Sequence, residues 1–223
     1  MAATPKITLY FDTVSPFAYI AFYILQNDGV FQNCNITYVP IFLGGLMKKC
    51  GNTAPINITN KNNWIDRERL LWAKTFNVPM KILLPQGFPP MTLNIMRCLA
   101  ALDVADGRSD QSRLIRTVDA LYHDFWVDHS ETNDTRLLQL LLNRILGSEE
   151  ATKITAAATK DGKTSLLHNT DEAFAAGAFG LPWMVCTNGN GETESFWGVD
   201  HIGQVASFLG LQRPGTGGWK AVL

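Results

Sequence analysis

Ser15 and Pro16 stand where one short apolar run, Ile7 to Phe11, gives way to another, Phe17 to Leu25. Serine is a favoured helix N-cap and proline a favoured first helical residue, so the pair predicts a strand–turn–helix junction. A hydroxyl at a helix start sits among free N–H groups at the positive end of the helix dipole. That environment favours an anion, a thiolate included. Serine forms no disulfide, so a dithiol redox mechanism is excluded at this position. Its O–H can instead be donated to a thiolate brought by another molecule, and such a charge-assisted bond lowers the thiol pKa. The competing reading is a helix cap and nothing more.

Two further places have the same double character. Leu181-Pro182 opens a late strand pattern, and a proline there lacks the N–H that a sheet ladder needs. A cis bond would leave the Leu181 N–H and C=O free to pair with an extended, peptide-like ligand. A trans bond would make Pro182 an ordinary edge-strand residue. In Trp197-Gly198-Val199-Asp200-His201, Asp200 is either the N-cap of a final helix or a carboxylate able to hold a ligand's ammonium. Asn52 and Lys61 lie in a polar stretch after the second strand, where a lysine is ordinarily a solvated charge. The four cysteines (34, 50, 98, 186) include no Cys-x-x-Cys, and the four histidines have no ligand spacing. No metal is expected, and the cysteines read as reduced, mostly buried side chains.

The elements that must position these residues follow from periodicity. Ile7 to Phe11 reads as a buried strand, Pro16 to Gln26 as a buried helix and Ile36 to Ile41 as a second strand, a right-handed parallel unit. After Phe42 a polar, irregular stretch with Gly44-Gly45 and Gly51 is expected. Helices follow, over Asp66–Phe76, Met91–Ala105, from a Ser109 cap through apolar positions 114, 118, 121, 122 and 125, then 137–146, 149–159 and 165–176. Strand signals return at Leu181 to Cys186 and Ser195 to Trp197, joined by Asn188-Gly189 and Asn190-Gly191, before a helix capped by Asp200. The order is β-α-β, a helical block, then β-hairpin-α. That is an α/β fold with a thioredoxin-like mixed sheet and an all-helical insertion. The expected division is 1–60 with 177–223 as the sheet domain and 61–176 as the insertion.

The chain has 223 residues, of which 46% are hydrophobic and 17% charged. It is therefore long enough to bury about 70% of its unfolded surface, and it is not a disordered chain. Its 19 basic and 20 acidic residues give a net charge of −1. Neither nucleic acid nor an acidic membrane surface is an expected partner. No apolar run is long enough for a membrane span. No leader or clear targeting signal is read, and a reducing intracellular compartment (cytoplasm, mitochondrion or peroxisome) is the expectation.

Taken together, YFDTVSPFAYIAF, GN-x-x-P, Lys61 three residues before Trp64, NVP, GAFGLPW and FWGVD resemble the kappa-class glutathione transferases. That family also includes 2-hydroxychromene-2-carboxylate isomerases, and its distant relatives are DsbA-like oxidoreductases. The motifs run in family order from residue 7 to about 210. The resemblance implies a thioredoxin-like fold with a helical insertion, glutathione as co-substrate, an electrophile as second substrate and a homodimer. It implies that Ser15 is the catalytic residue that bonds the glutathione sulfur. Asn52 and Lys61 would contact glutathione, the lysine through the glycyl carboxylate, and Trp64 would lie near them. Leu181 would pair with the cysteinyl backbone, Pro182 would be the cis proline, and Asp200 would hold the γ-glutamyl end. Where the family commonly has Ser and Arg beside that Asp, this chain has Val199 and His201. A mostly neutral imidazole holds a carboxylate less firmly than a guanidinium. The activities implied are glutathione transfer, peroxide reduction as a secondary reaction, a glutathione-dependent isomerisation, or glutathione binding without turnover.

Overall fold

In the computed structural model, which describes residues 3–222, the sheet is built around its first strand. Alternating β-formers bury Ile7, Leu9 and Phe11 in β1 (Lys6–Phe11). On one side lies β2 (Asn35–Pro40), parallel to β1. On the other lies β3 (Trp183–Thr187), antiparallel, followed outward by β4 (Thr193–Trp197). The order is β2-β1-β3-β4, a four-stranded mixed sheet. Register decides where the chemistry goes. Tyr10 faces Val39 on one neighbour and Trp183 on the other. The chain leaving β1 therefore emerges beside the exit from β2 and the entry to β3, between Phe42 and Pro182.

From that point α1 (Pro16–Asn27) runs back along the sheet, with Ala18, Tyr19, Ile20, Ala21, Phe22, Ile24 and Leu25 buried. After β2 come α2 (Leu43–Lys49), α3 (Lys61–Thr75) and α4 (Leu93–Ala105). Then come α5 (Ser112–His123), α6 (Thr135–Leu146), α7 (Ser148–Ala157) and α8 (Lys163–Ala175). The last helix, α9 (Ile202–Phe208), follows the hairpin. The α5 helix continues into a π-helical turn, Asp124–Asp128, and a second such turn, Ala158–Gly162, joins α7 to α8. One contiguous core includes Leu9 and Phe11 of the sheet with Leu99, Tyr122 and Trp126 of the helical segment. Among the described residues no helix is long and apolar enough to cross a membrane. Met1, Ala2 and Leu223, which the expected domain division includes, lie outside the described residues.

Four local expectations are corrected. The stretch after Phe42 is not irregular, because α2 forms there despite Gly44 and Gly45. Its first N–H, that of Leu43, is capped at 2.9 Å by the Asp12 carboxylate, from 31 positions earlier in the chain. The third helix starts at Lys61 rather than Asp66, continuing from a turn at Pro55–Asn57 that packs on it. Ser109 caps nothing; α5 starts at Ser112, whose N–H is accepted by Asp110 Oδ1 at 2.9 Å. Asp200 is not the N-cap of the last helix but lies inside a 3₁₀ turn, Val199–His201, which makes no side-chain cap bond.

The exposed edge of β2 is closed by a side chain. Gln111 accepts from Tyr38 N–H at 2.8 Å and donates to Tyr38 C=O at 2.9 Å, in the manner of a one-residue strand. Its Nε2 also donates to buried Asp103 at 2.8 Å.

Candidate functional site

Ser15 is buried, with 5% of its surface exposed, and caps α1 by accepting the Ala18 N–H at 3.2 Å. The same hydroxyl donates to the Leu181 carbonyl at 3.4 Å, the long end of the range for such a bond. Capping and chemistry are thus compatible at this residue. One lone pair serves the helix, and the proton points across a loop boundary at a weak acceptor that a stronger one can displace.

The turn carrying Ser15 is held from below by Asp12, which is fully buried and was not assigned a role from the sequence. Its Oδ1 accepts from Val14 N–H at 3.2 Å, and its Oδ2 accepts from Leu43 N–H at 2.9 Å and the Thr92 hydroxyl at 3.1 Å. Burial raises the carboxyl to about 6 against the opposing pull of these donors. The Asp12 carbonyl accepts from Ser15 N–H at 3.1 Å and from the Tyr122 hydroxyl at 3.4 Å. Trp126 Nε1 donates to the Thr13 carbonyl at 3.2 Å. Helical-segment side chains therefore fix the main chain on which Ser15 sits.

The Leu181-Pro182 peptide bond is cis. The Leu181 N–H donates to no described group, although the residue is buried. Asn52 Nδ2 donates to the Phe179 carbonyl at 2.8 Å and ties the segment after α2 to this loop. Gly198 N–H donates to the Pro182 carbonyl at 3.0 Å and ties the Asp200 turn to it from the other side. Gly198 has φ +87, a backbone conformation that favours glycine, while the nearest atoms to a Cβ there belong to the movable, exposed Asp200 carboxylate. The Asp200 turn in turn lies against α1. Its carboxylate is exposed, with His201 Nδ1 3.5 Å from Oδ1. Phe179 and Trp197, 4.7 Å apart between ring centroids and both partly exposed, form an aromatic wall beside Leu181 that was not anticipated.

Ser15, Asn52, Leu181, Pro182, Asp200 and His201 are thus linked through one set of loops. Lys61 and Trp64 stand apart on the first turns of α3, which packs on α1. Trp64 is 53% exposed and stacks under the Arg67 guanidinium, 4.1 Å from its ring centroid. The described cysteines are all free, with Cys98 and Cys186 buried and Cys34 and Cys50 half-buried. His123, Asp124 and Asp128 bring three potential metal-ligand atoms within 4.8 Å of one another. Arg144 pairs with Asp124 at 3.2 Å.

The fold is shared with known proteins. The family model described as a DSBA-like thioredoxin domain matches residues 6–210. The chain belongs to this family. Within the DsbA-like family, it is similar to a glutathione S-transferase kappa 1 of Caenorhabditis elegans, 26% identical over 96% of this chain and 95% of that one. It is also similar to a 2-hydroxychromene-2-carboxylate isomerase of Sphingobium xenophagum, 27% identical over 92% of this chain and 98% of the other. A solved 2-hydroxychromene-2-carboxylate isomerase shares the fold with a TM-score of 0.71 at 19% identity, covering 92% and 94% of the two chains. These DsbA-like relatives include enzymes.

Proposed function

We propose that this DsbA-like protein is a glutathione transferase of the kappa type, in which Ser15 holds the glutathione sulfur as a thiolate. The observation that carries the reading is the Ser15 hydroxyl, at the start of α1 and aimed across 3.4 Å at the carbonyl of the cis-proline loop. Glutathione lies along that loop, its cysteinyl main chain paired with Leu181. Its thiolate replaces the Leu181 carbonyl as acceptor of the Ser15 proton. Asp200 takes the γ-glutamyl ammonium, and Asn52 and Lys61 take the glycyl end, with Trp64 beside them. His201 adds a weaker contact than a guanidinium would. The thiolate attacks an electrophilic carbon, the carbon–sulfur bond forms, and the leaving group departs with its electron pair. Ser15 keeps its proton throughout, so no covalent enzyme intermediate arises. Attack on a peroxide, completed by a second glutathione, would yield alcohol, water and glutathione disulfide.

The deciding experiment is Ser15→Ala with 1-chloro-2,4-dinitrobenzene as electrophile. Loss of one charge-assisted hydrogen bond, about 1.5–3 kcal/mol, lowers turnover about 10- to 100-fold and raises the pKa of the bound thiol. Full activity with an unshifted thiol pKa would sink the role of Ser15. The similarity to an isomerase favours a second reading, in which glutathione adds to the substrate and is released unchanged. Product analysis separates the two, since a stable conjugate marks a transferase and recovered glutathione with rearranged substrate marks an isomerase. Calorimetry that finds tight glutathione binding but no turnover would point to a binding protein, and no binding would defeat all three. The reading also carries a homodimer, checked by sedimentation equilibrium, and a reducing compartment where free thiols persist.

A further inference from the structure

A groove of about 480 Å³ runs between α2, α4 and α8, within the size range of small-molecule sites. Its lining includes Phe42, which follows β2 beside the Ser15 turn, but none of Ser15, Asn52, Leu181, Pro182, Asp200 or His201. Phe42, Leu93, Leu166 and Leu167 give it apolar walls, and Leu167 is 62% exposed. Lys48, Arg97 and Lys163 stand around those walls with no ion-pair partner among the described residues. The one carboxylate on the lining, Asp171, is already held by Lys49. Three unpaired cations beside the neutral Lys49–Asp171 pair are concentrated here on a chain whose net charge is −1.

Surface lysines alone are ordinary. Arg97 is not, because its Nε is shielded from solvent and has no acceptor. Arg97 lines the groove half-buried with no ion-pair partner among the described residues, so an anion seated there would pair with its guanidinium. The apolar walls need an apolar body, and the cations need an anionic head. The groove is open but concave, with room for a single small molecule.

We propose that this groove binds a free amphipathic organic anion, a carboxylate or sulfonate on an apolar body, with Arg97 and Lys163 on the head group and the leucines on the tail. The proposal does not rest on the glutathione reading. It is tested by calorimetry on the full chain with dodecanoate below its micellar concentration. The expected result is one site of micromolar affinity. Dodecanol, with the same chain and no charge, binds at least tenfold more weakly. Arg97→Met weakens dodecanoate about tenfold or more, and Lys163→Met about two- to fivefold. Leu167→Asp, on an exposed wall position, weakens it at least tenfold without lowering the melting temperature. Because Lys163 and Leu167 are exposed, their variants keep the test decisive if Arg97→Met does not fold. Saturating glutathione leaves the affinity unchanged. No binding, binding indifferent to all three substitutions, displacement by glutathione, or binding only to phosphatidylglycerol vesicles would each overturn the proposal.

Discussion

Asp12 and Ser15 divide the work of one turn between a buried acid and a buried hydroxyl. Ser15 was legible in the sequence because serine before proline at the end of an apolar run has few structural meanings. Asp12 was not, since three of its partners (Val14, Leu43 and Thr92) include two that are remote in sequence. Its carboxyl is raised by burial to about 6, above the ordinary 3.8. Relative to the unfolded chain, burial therefore favours the neutral form, against donors that favour the carboxylate. The stability this group contributes is fully present below about pH 4 and is lost as pH rises through about 6. On the order of 3 kcal/mol is at stake across that interval. Asp12→Asn keeps a neutral side chain at every pH but turns an amide donor toward the Leu43 N–H. The variant should be less stable than the wild type, by a margin widest at pH 4 and narrowing toward pH 7. Urea unfolding of both proteins at several pH values in this window measures the margin; a constant gap would mean that Asp12 does not titrate here.

Elements with strong periodicity, such as α5 and α6, were legible because their burial follows their own sequence. The α2 helix was hidden because its cap comes from Asp12 and its glycines disfavour helix, so tertiary contacts decide it. The edge of β2 is another case in which a remote side chain decides. Gln111 was overlooked because an isolated glutamine before a helix carries no signal, yet it supplies both hydrogen bonds to Tyr38. Gln111→Ala would leave that N–H and C=O open and strip a donor from buried Asp103. A loss of about 2–3 kcal/mol is expected in chemical denaturation. Aggregation on mild heating should increase as well, because the edge becomes a template for another strand. Tight packing at the second π-helical turn gives a parallel expectation. A Cβ on Gly162 would lie 2.2 Å from the Arg97 carbonyl oxygen, so Gly162→Ala must push that turn away from α4. Differential scanning calorimetry should show a destabilisation of about 1–3 kcal/mol.

At the scale of the molecule, the order of elements gave away the mixed sheet and the placing of the helices between its halves, since period-2 and period-3.6 segments alternate cleanly. What periodicity does not carry is how the two parts meet. The expected division at residues 60 and 176 treats them as separate units, whereas their buried side chains form one cluster. The seam is polar as well as apolar. Tyr122 and Trp126, on α5 and its π-helical extension, bond the carbonyls of Asp12 and Thr13, and Thr92 bonds the Asp12 carboxylate. Asn169 of α8 donates to the Pro40 carbonyl at the end of β2. Unfolding the helices alone would leave Asp12 and the ends of β1 and β2 with broken partners in a core now open to water. That penalty couples the parts, so they should unfold together in spite of a chain length at which intermediates are common. Of the six tryptophans, Trp64, Trp72 and Trp126 lie in the helical segment, Trp183 and Trp197 in the sheet, and Trp219 packs on Phe31 and, across the seam, on Phe76. Urea unfolding followed by far-ultraviolet ellipticity, which weights the helices, and by tryptophan fluorescence should give one coincident transition. Trp126→Phe, which removes the bond to Thr13, should shift both probes equally to lower urea. Two separated transitions, or a shift confined to ellipticity, would mean that the helical segment folds as a unit of its own and that the Ser15 turn does not depend on it.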